Sequence, residues 1–480
     1  MRIALFFLLL LIIPLKPSLA DYFFESSAPN EVQILHRGAA ALEKRLRMIE
    51  RAQREIALEH FSMAQDFSSK VLMNVLLKKA QEGVSVRLLL DGDFLEKSLS
   101  QGHAHLLRKR GVELRYYNPL SSFRGIFRSG HRSHRKLLVV DAEEMITGGR
   151  DISDAHFELD PRSNFIDRDI WVRSPEVARA ALKTFEAYWD STITRAPRPL
   201  HIPPEDRMLG NPNYRKYVFD LREMIRKARD FLTLSDGEKE TLEDLREFAG
   251  EQLERESLRG SCEKITFATD APLDGPVRPR EVFKLLYKNI VSGQNRLYVE
   301  MARVAVKGAK KDEVHRVLEK SVRREMGALI LANDFYPTSA RLYDKALEKV
   351  TDKMARDWLR AKPNTFIYSG DSPYEDFFFQ ETGSSRFSFN ARTVVFDNHS
   401  FLIGNYDMDS RTSLSRDSEI GILCHDEELA QGVLEDMETR RKNSFSLEDR
   451  KGKRPLLKRI LYPILYLPAF LLDSLVGSFF

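Results

Sequence analysis

Apolar positions along this chain switch between a period of two and a period near 3.6, and the same succession of switches occurs twice. In the first pass "REIALEHFSM" reads as a strand, "SSKVLMNVLLKKAQEG" as an amphipathic helix stopped at Gly83, and "VSVRLLLDG" as a buried strand. A helix to Gly111, the strand "VELRYYN", a polar loop, and "HRKLLVVD" turning into "EMITGG" follow, before "DIWVRSP" and the helix "EVARAALKTFEAYWDS" close the half. The second pass repeats the order with "QNRLYVEMA", "KDEVHRVLEKSVRREMG", "ALILAND", "SARLYDKALEKV", "NTFIYSG", "RTVVFDNHSFLIGN", "EIGILCHD" and "EELAQGVLEDMETR". Apolar strands alternating with helices imply a mixed, largely parallel sheet in each half, so the expected fold is two related α/β domains.

This pattern sets the expected boundaries at 21–195 and 276–445, with 196–275 between them. The intervening stretch opens with "APRPLHIPPEDR" and continues as charged helical sequence, the composition of a connector with an added helix or two. Residues 1–20 have one early cation at Arg2, an unbroken apolar run, breaks at Pro14 and Pro17, and a small-residue ending. They read as an export signal cleaved before Asp21; the alternative, an uncleaved anchor, is disfavoured because the run falls short of the ~20 residues a span needs. The tail, 446–480, joins "KGKRPLLKR" to an apolar run broken by Pro463, Pro468 and Asp473. Such a segment suits a bilayer surface better than a simple span, the alternative being a tail docked on the protein itself.

Composition changes this picture little. At 42% hydrophobic and 30% charged the chain has globular proportions, and a formal charge of +4 over 480 residues suits an anionic substrate without pointing to nucleic acid. Two cysteines, Cys262 and Cys424, exclude a disulfide framework and a cysteine-rich metal cluster, and leave open whether they pair with each other.

The chemistry concentrates in "SHRKLLVVD", where His134, Lys136 and Asp141 stand in an H-x-K-x4-D pattern. On a strand, His134 and Lys136 project to one face, while Asp141 falls at the far end and reads as a structural hydrogen-bonding group. An imidazole beside an ammonium group suits phosphodiester chemistry: nitrogen attacks phosphorus and lysine neutralises the charge growing on its oxygens, with no metal or cofactor required. The imidazole's other nitrogen needs an acceptor. "FIDRDIWV" offers Asp167 and Asp169, of which Asp169 is the favoured partner.

With "SHRKLLVVDAEEMITGGRDISDAHF", "FIDRDIWVRSPEVARAALKTFEAYWDS" and "FSFNARTVVFDNHSFLIGNYDMDSRTSLSRDSEIGIL", the chain resembles the phospholipase D superfamily, most closely its cardiolipin synthase-like bacterial branch. The resemblance implies two duplicated domains with one active site at their interface, so that a monomer suffices. It also implies a phospholipid substrate, a histidine nucleophile from one motif, and a general acid from the other.

Set against that pattern, "NARTVVFD" has Asn390 where the second histidine belongs, Arg392 in place of lysine, and Asp397 as the aspartate. Arg392 keeps the cation and Asn390 can bond substrate, but an amide exchanges no proton near neutral pH. Loss of a general acid costs ~10²- to 10⁴-fold in rate. His60, at the carboxyl end of the first strand, is the candidate stand-in, whereas His131 and His399 read as loop residues. Arg150 and Glu419 complete the expected substrate-binding set. In "GGRD" and "GNYD", Asp151 and Asp407 replace the family's asparagines, and a carboxylate there needs protonation or a cation such as Arg150 or Arg392. Three functions fit: an exported, membrane-associated phosphatidyl-transferring enzyme, a headgroup-binding protein without turnover, and a secreted nuclease.

Overall fold

The computed structural model describes residues 22–92, 99–119, 131–200, 212–274, 280–292, 296–301, 304–305, 327–332, 365–368, 378, 386–409 and 417–446. The apolar segments 1–20 and 447–480, almost all of 311–327, and all of 339–350 lie outside these residues.

Each half is built on a sheet with nine strands among the described residues, and the two follow one plan. In the first, Glu55–His60, Ser85–Asp91 and Val112–Tyr117 are parallel neighbours, because the helices Phe67–Gln81 and Gln101–Lys109 carry the chain back between them. In the second, Arg296–Met301, Gly327–Ala332 and Thr365–Tyr368 repeat that arrangement. The expectation of largely parallel sheets needs correction, since the other pairings in both sheets are antiparallel. The cause is local. Leu137–Val140 reverses into Glu144–Gly148 through Asp141 and Ala142 at φ 55° and 53°, and Thr393–Phe396 into Ser400–Gly404 through Asp397 and Asn398 at φ 51° and 62°. So short a reversal can join only antiparallel neighbours, and Asp and Asn tolerate its left-handed backbone.

The two motif aspartates hold these turns in place. Asp141 accepts the backbone N–H groups of Gln53, Arg54 and Glu55 at 2.8, 2.7 and 2.9 Å, pinning the start of the adjacent strand. Asp397 accepts the N–H of Arg296 at 2.7 Å in the corresponding place.

The connector does more than link. Its helices Pro212–Phe231 and Asp236–Arg255 pack on the first half, and Leu245, Ala249 and Leu253 of the latter enter that half's core. Leu258–Cys262 then pairs with Asn30–Leu35 as an edge of the first sheet, whereas Lys264–Thr269 pairs with Ile420–His425 in the second. The N-terminal strand Phe23–Ser26 also lies in the second sheet, against Lys264–Thr269. The sheets therefore do not divide at 195 and 275, because the first half lends its N-terminal strand to the second sheet and the connector supplies one strand to each. One apolar cluster runs through both halves, from Val139, Ile170 and Phe185 to Phe267, Ile403, Ile422 and Met437.

Cys262 and Cys424 form a disulfide, their Cα atoms 5.6 Å apart, which ties the edge strand of the first sheet to the second. A bridge closing a separation of 162 residues removes much freedom from the unfolded chain. Reduction, or Cys424→Ser, is expected to lower unfolding free energy by about 2–4 kcal/mol. Thermal melts with and without reductant check it, and coincident melts would refute the bond's contribution.

Candidate active site

Two short parallel ladders join the halves, and each delivers a pair of side chains. Arg132–Ser133 pairs with Asp417–Ser418, with Ser133 opposite Ser418. The next residue on each side is His134 and Glu419. His134 Nδ1 stands 3.3 Å from Glu419 Oε2, and His134 N–H donates to Ser418 O at 3.0 Å. Asn405 locks the pair, donating from its amide to His134 O and accepting the N–H of Ile420 at 2.7 Å.

Arg386–Phe389 pairs in the same way with Ser163–Ile166, with Phe389 opposite Ile166, so Asn390 and Asp167 come next. Asn390 Nδ2 donates to Asp167 Oδ2 at 2.6 Å and to Gly149 O at 3.2 Å. Gly149 is required here, because a Cβ on it would fall 2.1 Å from Asp167 Oδ1. A carboxylate from each half thus faces the motif position of the other.

The cations follow the same symmetry. Lys136 Nζ donates to His134 O at 3.2 Å and lies 3.6 Å from Asp151 Oδ2. Arg392 donates to Asn390 O at 2.9 Å and grips Asp407 bidentately at 2.8 and 2.9 Å. The carboxylates standing in for asparagine are therefore paired with the motif cations themselves. Phe61 packs edge-on to His134, ring centroids 5.0 Å apart.

Burial drives the Glu419 carboxyl well above its ordinary range, with Asp417 and Asp407 adding repulsion against the pull of Lys136 and Arg392. Asp167 goes the other way. Burial raises it, but hydrogen bonding to His156 and the charges of Arg150, His156 and Arg392 outweigh this and hold it below the usual carboxylate range. Arg392 is buried too, yet Asp407 keeps its guanidinium firmly charged.

Five expectations are corrected. Asp169 does not orient His134: its carboxylate sits fully buried between Arg45 at 2.9 Å and Arg150 at 3.3 Å, and Glu419 takes the orienting place instead of binding substrate. Alternation along the strand made Asp167 and Asp169 look equivalent, but only Asp167 precedes the strand and reaches the interface. Arg150 does not face the site opening: it is wholly buried and donates to the carbonyls of Leu35, His36, His156 and Asp167. Asp397 belongs to its turn, at the other end of the strand from Asn390. His60 is 2% exposed, and burial with nearby Arg45, Lys136 and His156 holds its imidazole neutral, so it is no store of protons.

The residue that sequence reasoning passed over is His156. The 3-10 turn Asp154–Phe157 folds it back so that Nδ1 lies 3.4 Å from Asp167 Oδ2, with the ring stacked on Phe165 at 4.5 Å and 29°. Its only trace in the sequence is position, five residues beyond Asp151 in the half opposite the lost histidine.

Residues 46–189 match the family described as "Cardiolipin synthase, PLD-like domain". Cardiolipin synthase B of Salmonella typhimurium is 35% identical over 154 residues, 31% of this chain and 36% of that protein. Over residues 46–189 the chain is therefore similar to the phospholipase D superfamily. Its likeness extends over both halves in an uncharacterized protein of Helicobacter pylori, 25% identical over 429 residues, 83% of this chain and 77% of that one. The same fold is seen in the crystal structure of phosphatidylserine synthase from Haemophilus influenzae, which covers 94% of this chain and 96% of its own with a TM-score of 0.61 at 13% identity.

Behind this site, Asp270 Oδ2 accepts the N–H of Glu419 at 3.2 Å, and Thr269 Oγ1 donates to Glu419 O at 2.8 Å. Burial pushes the Asp270 carboxyl up to about 7, backbone hydrogen bonds opposing. An acid with a raised folded-state pKa stabilises below its unfolded value, about 4, and loses that contribution as pH rises through 7. Unfolding free energy is expected to fall across pH 4–7, and Asp270→Asn to flatten the fall. Denaturant titrations at pH 5 and 8 measure it, and equal slopes in both proteins would contradict it.

Proposed function

We propose that the chain is a phospholipid-directed phosphodiesterase or phosphatidyltransferase, cardiolipin synthase-like, working through a phosphohistidine at His134. The observation that carries this reading is the His134–Glu419 pair flanked by Lys136 and Arg392. With Nδ1 engaged by Glu419, the nitrogen left to attack phosphorus is Nε2. Attack forms the P–N bond and expels an alcohol, while Lys136 and Arg392 meet the charge on the non-bridging oxygens. An alcohol or water then takes the phosphatidyl group and frees His134. The superfamily's phosphodiesterases and phosphatidyltransferases support the substrate class. The Cys262–Cys424 disulfide supports action in an oxidising compartment outside the cytoplasm, and the basic and apolar tail supports work at a membrane surface.

A second reading, headgroup binding without turnover, draws on the ion pairs of Lys136 with Asp151 and Arg392 with Asp407, which neutralise the cations a phosphate would meet. One experiment separates the two. Protein mixed with vesicles of phospholipid radiolabelled at phosphorus and quenched in denaturant at alkaline pH is expected to carry label that His134→Ala abolishes. Equal labelling of the variant would sink the phosphohistidine, and vesicle binding without label or product would favour the second reading.

The raised Glu419 adds a pH dependence. Nε2 has a free lone pair when Glu419 is ionised and accepts the Nδ1 proton, so the pair must lose a proton to act. The rising limb of kcat/KM against pH is expected well above the ordinary carboxylate range. Glu419→Gln is expected to remove that limb and cost ~10- to 100-fold in rate. A limb unchanged in the variant would exclude Glu419 as its source.

A further inference from the structure

We propose that His156, held by Asp167, is the proton donor that the second motif lacks, with Asn390 sharing the same carboxylate to fix its place. The two ladders make Asp167 and Glu419 equivalent: each follows an interface strand of one half, each is fully buried, and each faces the motif position of the other half. Glu419 meets a histidine, His134. Asp167 meets Asn390, whose amide takes up the carboxylate but has no proton to transfer. On the same oxygen, Oδ2, Asp167 also receives His156 Nδ1 at 3.4 Å, an ion-pair separation. Each ladder therefore leads into a histidine–carboxylate pair, although the motifs contain one histidine.

Several contacts hold His156 for this work. Phe165 stacks on its ring, and Arg150 Nε donates to its carbonyl at 3.0 Å. Nδ1 is buried against Asp167, and the side chain is 12% exposed, so the ring's remaining opening lies away from that nitrogen. Nε2 is then the nitrogen that exchanges a proton. The other charged and titratable groups acting on this corner are Arg150, Arg392 and His60, the last held neutral. Asp167 stays ionised and supplies negative charge beside the ring.

The step balances without a further reagent. His134 Nε2 forms a bond to phosphorus, the P–O bond to the leaving alcohol breaks, and that oxygen takes the proton from His156 Nε2. In the second half-reaction the acceptor alcohol or water returns a proton to His156 as its oxygen bonds phosphorus, and the P–N electron pair goes back to His134. The assignment rests on the phosphohistidine reading above.

The dependence on leaving group tests it. Vesicles of phosphatidylglycerol present an alkoxide that needs a proton, whereas the p-nitrophenyl ester of phosphatidic acid releases an anion that does not. His156→Gln is expected to lower alcohol release ~10²- to 10⁴-fold, change p-nitrophenol release by less than about tenfold, and leave alkali-stable labelling of His134 by the ester intact. Retained ester cleavage shows at once that the variant is folded. Adding Asn390→His to His156→Gln is expected to recover at least about tenfold of the lost alcohol release, since the motif regains a donor against Asp167. Wild-type rates of alcohol release by His156→Gln, or equal loss on both substrates, would overturn the role of His156 while leaving His134 in place. A native protein inert toward both probes, or active without His134, would overturn the phosphohistidine reading and this one together.

Discussion

The active site depends on register across one interface. Two short parallel ladders set Ser133 beside Ser418 and Ile166 beside Phe389, and the residues next beyond them are His134 and Glu419 in one and Asp167 and Asn390 in the other. A strand's side chains alternate sides, so a slip of one residue in either ladder would turn Glu419 or Asp167 away from the partner it meets. Neither half can complete its own motif, because the group that orients the histidine of one comes from the other. A two-lobed protein is the natural consequence.

Something must hold the register against so small a number of backbone bonds, and a buried ionic cluster stands next to it. Arg168, adjacent in sequence to Asp167, bonds Glu300 and Asp436 of the second half, donates to Thr393 at 2.7 Å, and reaches His36 Nδ1 at 3.2 Å. Arg440 bonds Glu300 at 3.2 Å and Asp436 at 2.7 Å. Pairs buried this deeply yield little net stability after desolvation, but a mispaired interface would strand their charges at a cost of several kcal/mol. Their use is in specifying one arrangement. The apolar cluster shared by both halves and the Cys262–Cys424 bond supply the cohesion that this specificity presupposes.

Within this frame the unusual residues form a consistent set. Lys136 with Asp151 and Arg392 with Asp407 are two copies of one ion pair, placed alike about the interface. The two carboxylates are thus matched to the cations rather than opposed to the site. Asn390 and His156 meet the same oxygen of Asp167, which makes the loss at one position and the histidine at the other a single local arrangement.

The sequence by itself determined the duplication, the α/β class and the positions of His134, Lys136, Asn390 and Arg392, because strand and helix periods and a two-residue spacing on one strand are properties of neighbouring residues. It also marked Asp141 as the end of a strand. What it left undecided is whatever depends on pairing over long distances. Antiparallel order arises from turns whose geometry no periodicity reports, and a strand that joins the sheet of the other half has no local signature. Asp167 and Asp169 share a face of one stretch, yet the fold buries Asp169 between two arginines and brings Asp167 to the interface. Glu419 and His134 are 285 residues apart, and nothing short of the interface could pair them. His156 gains its meaning in the same way, through a tight turn and a carboxylate shared with the opposite half, so tertiary structure alone decided which histidine stands where the motif has none.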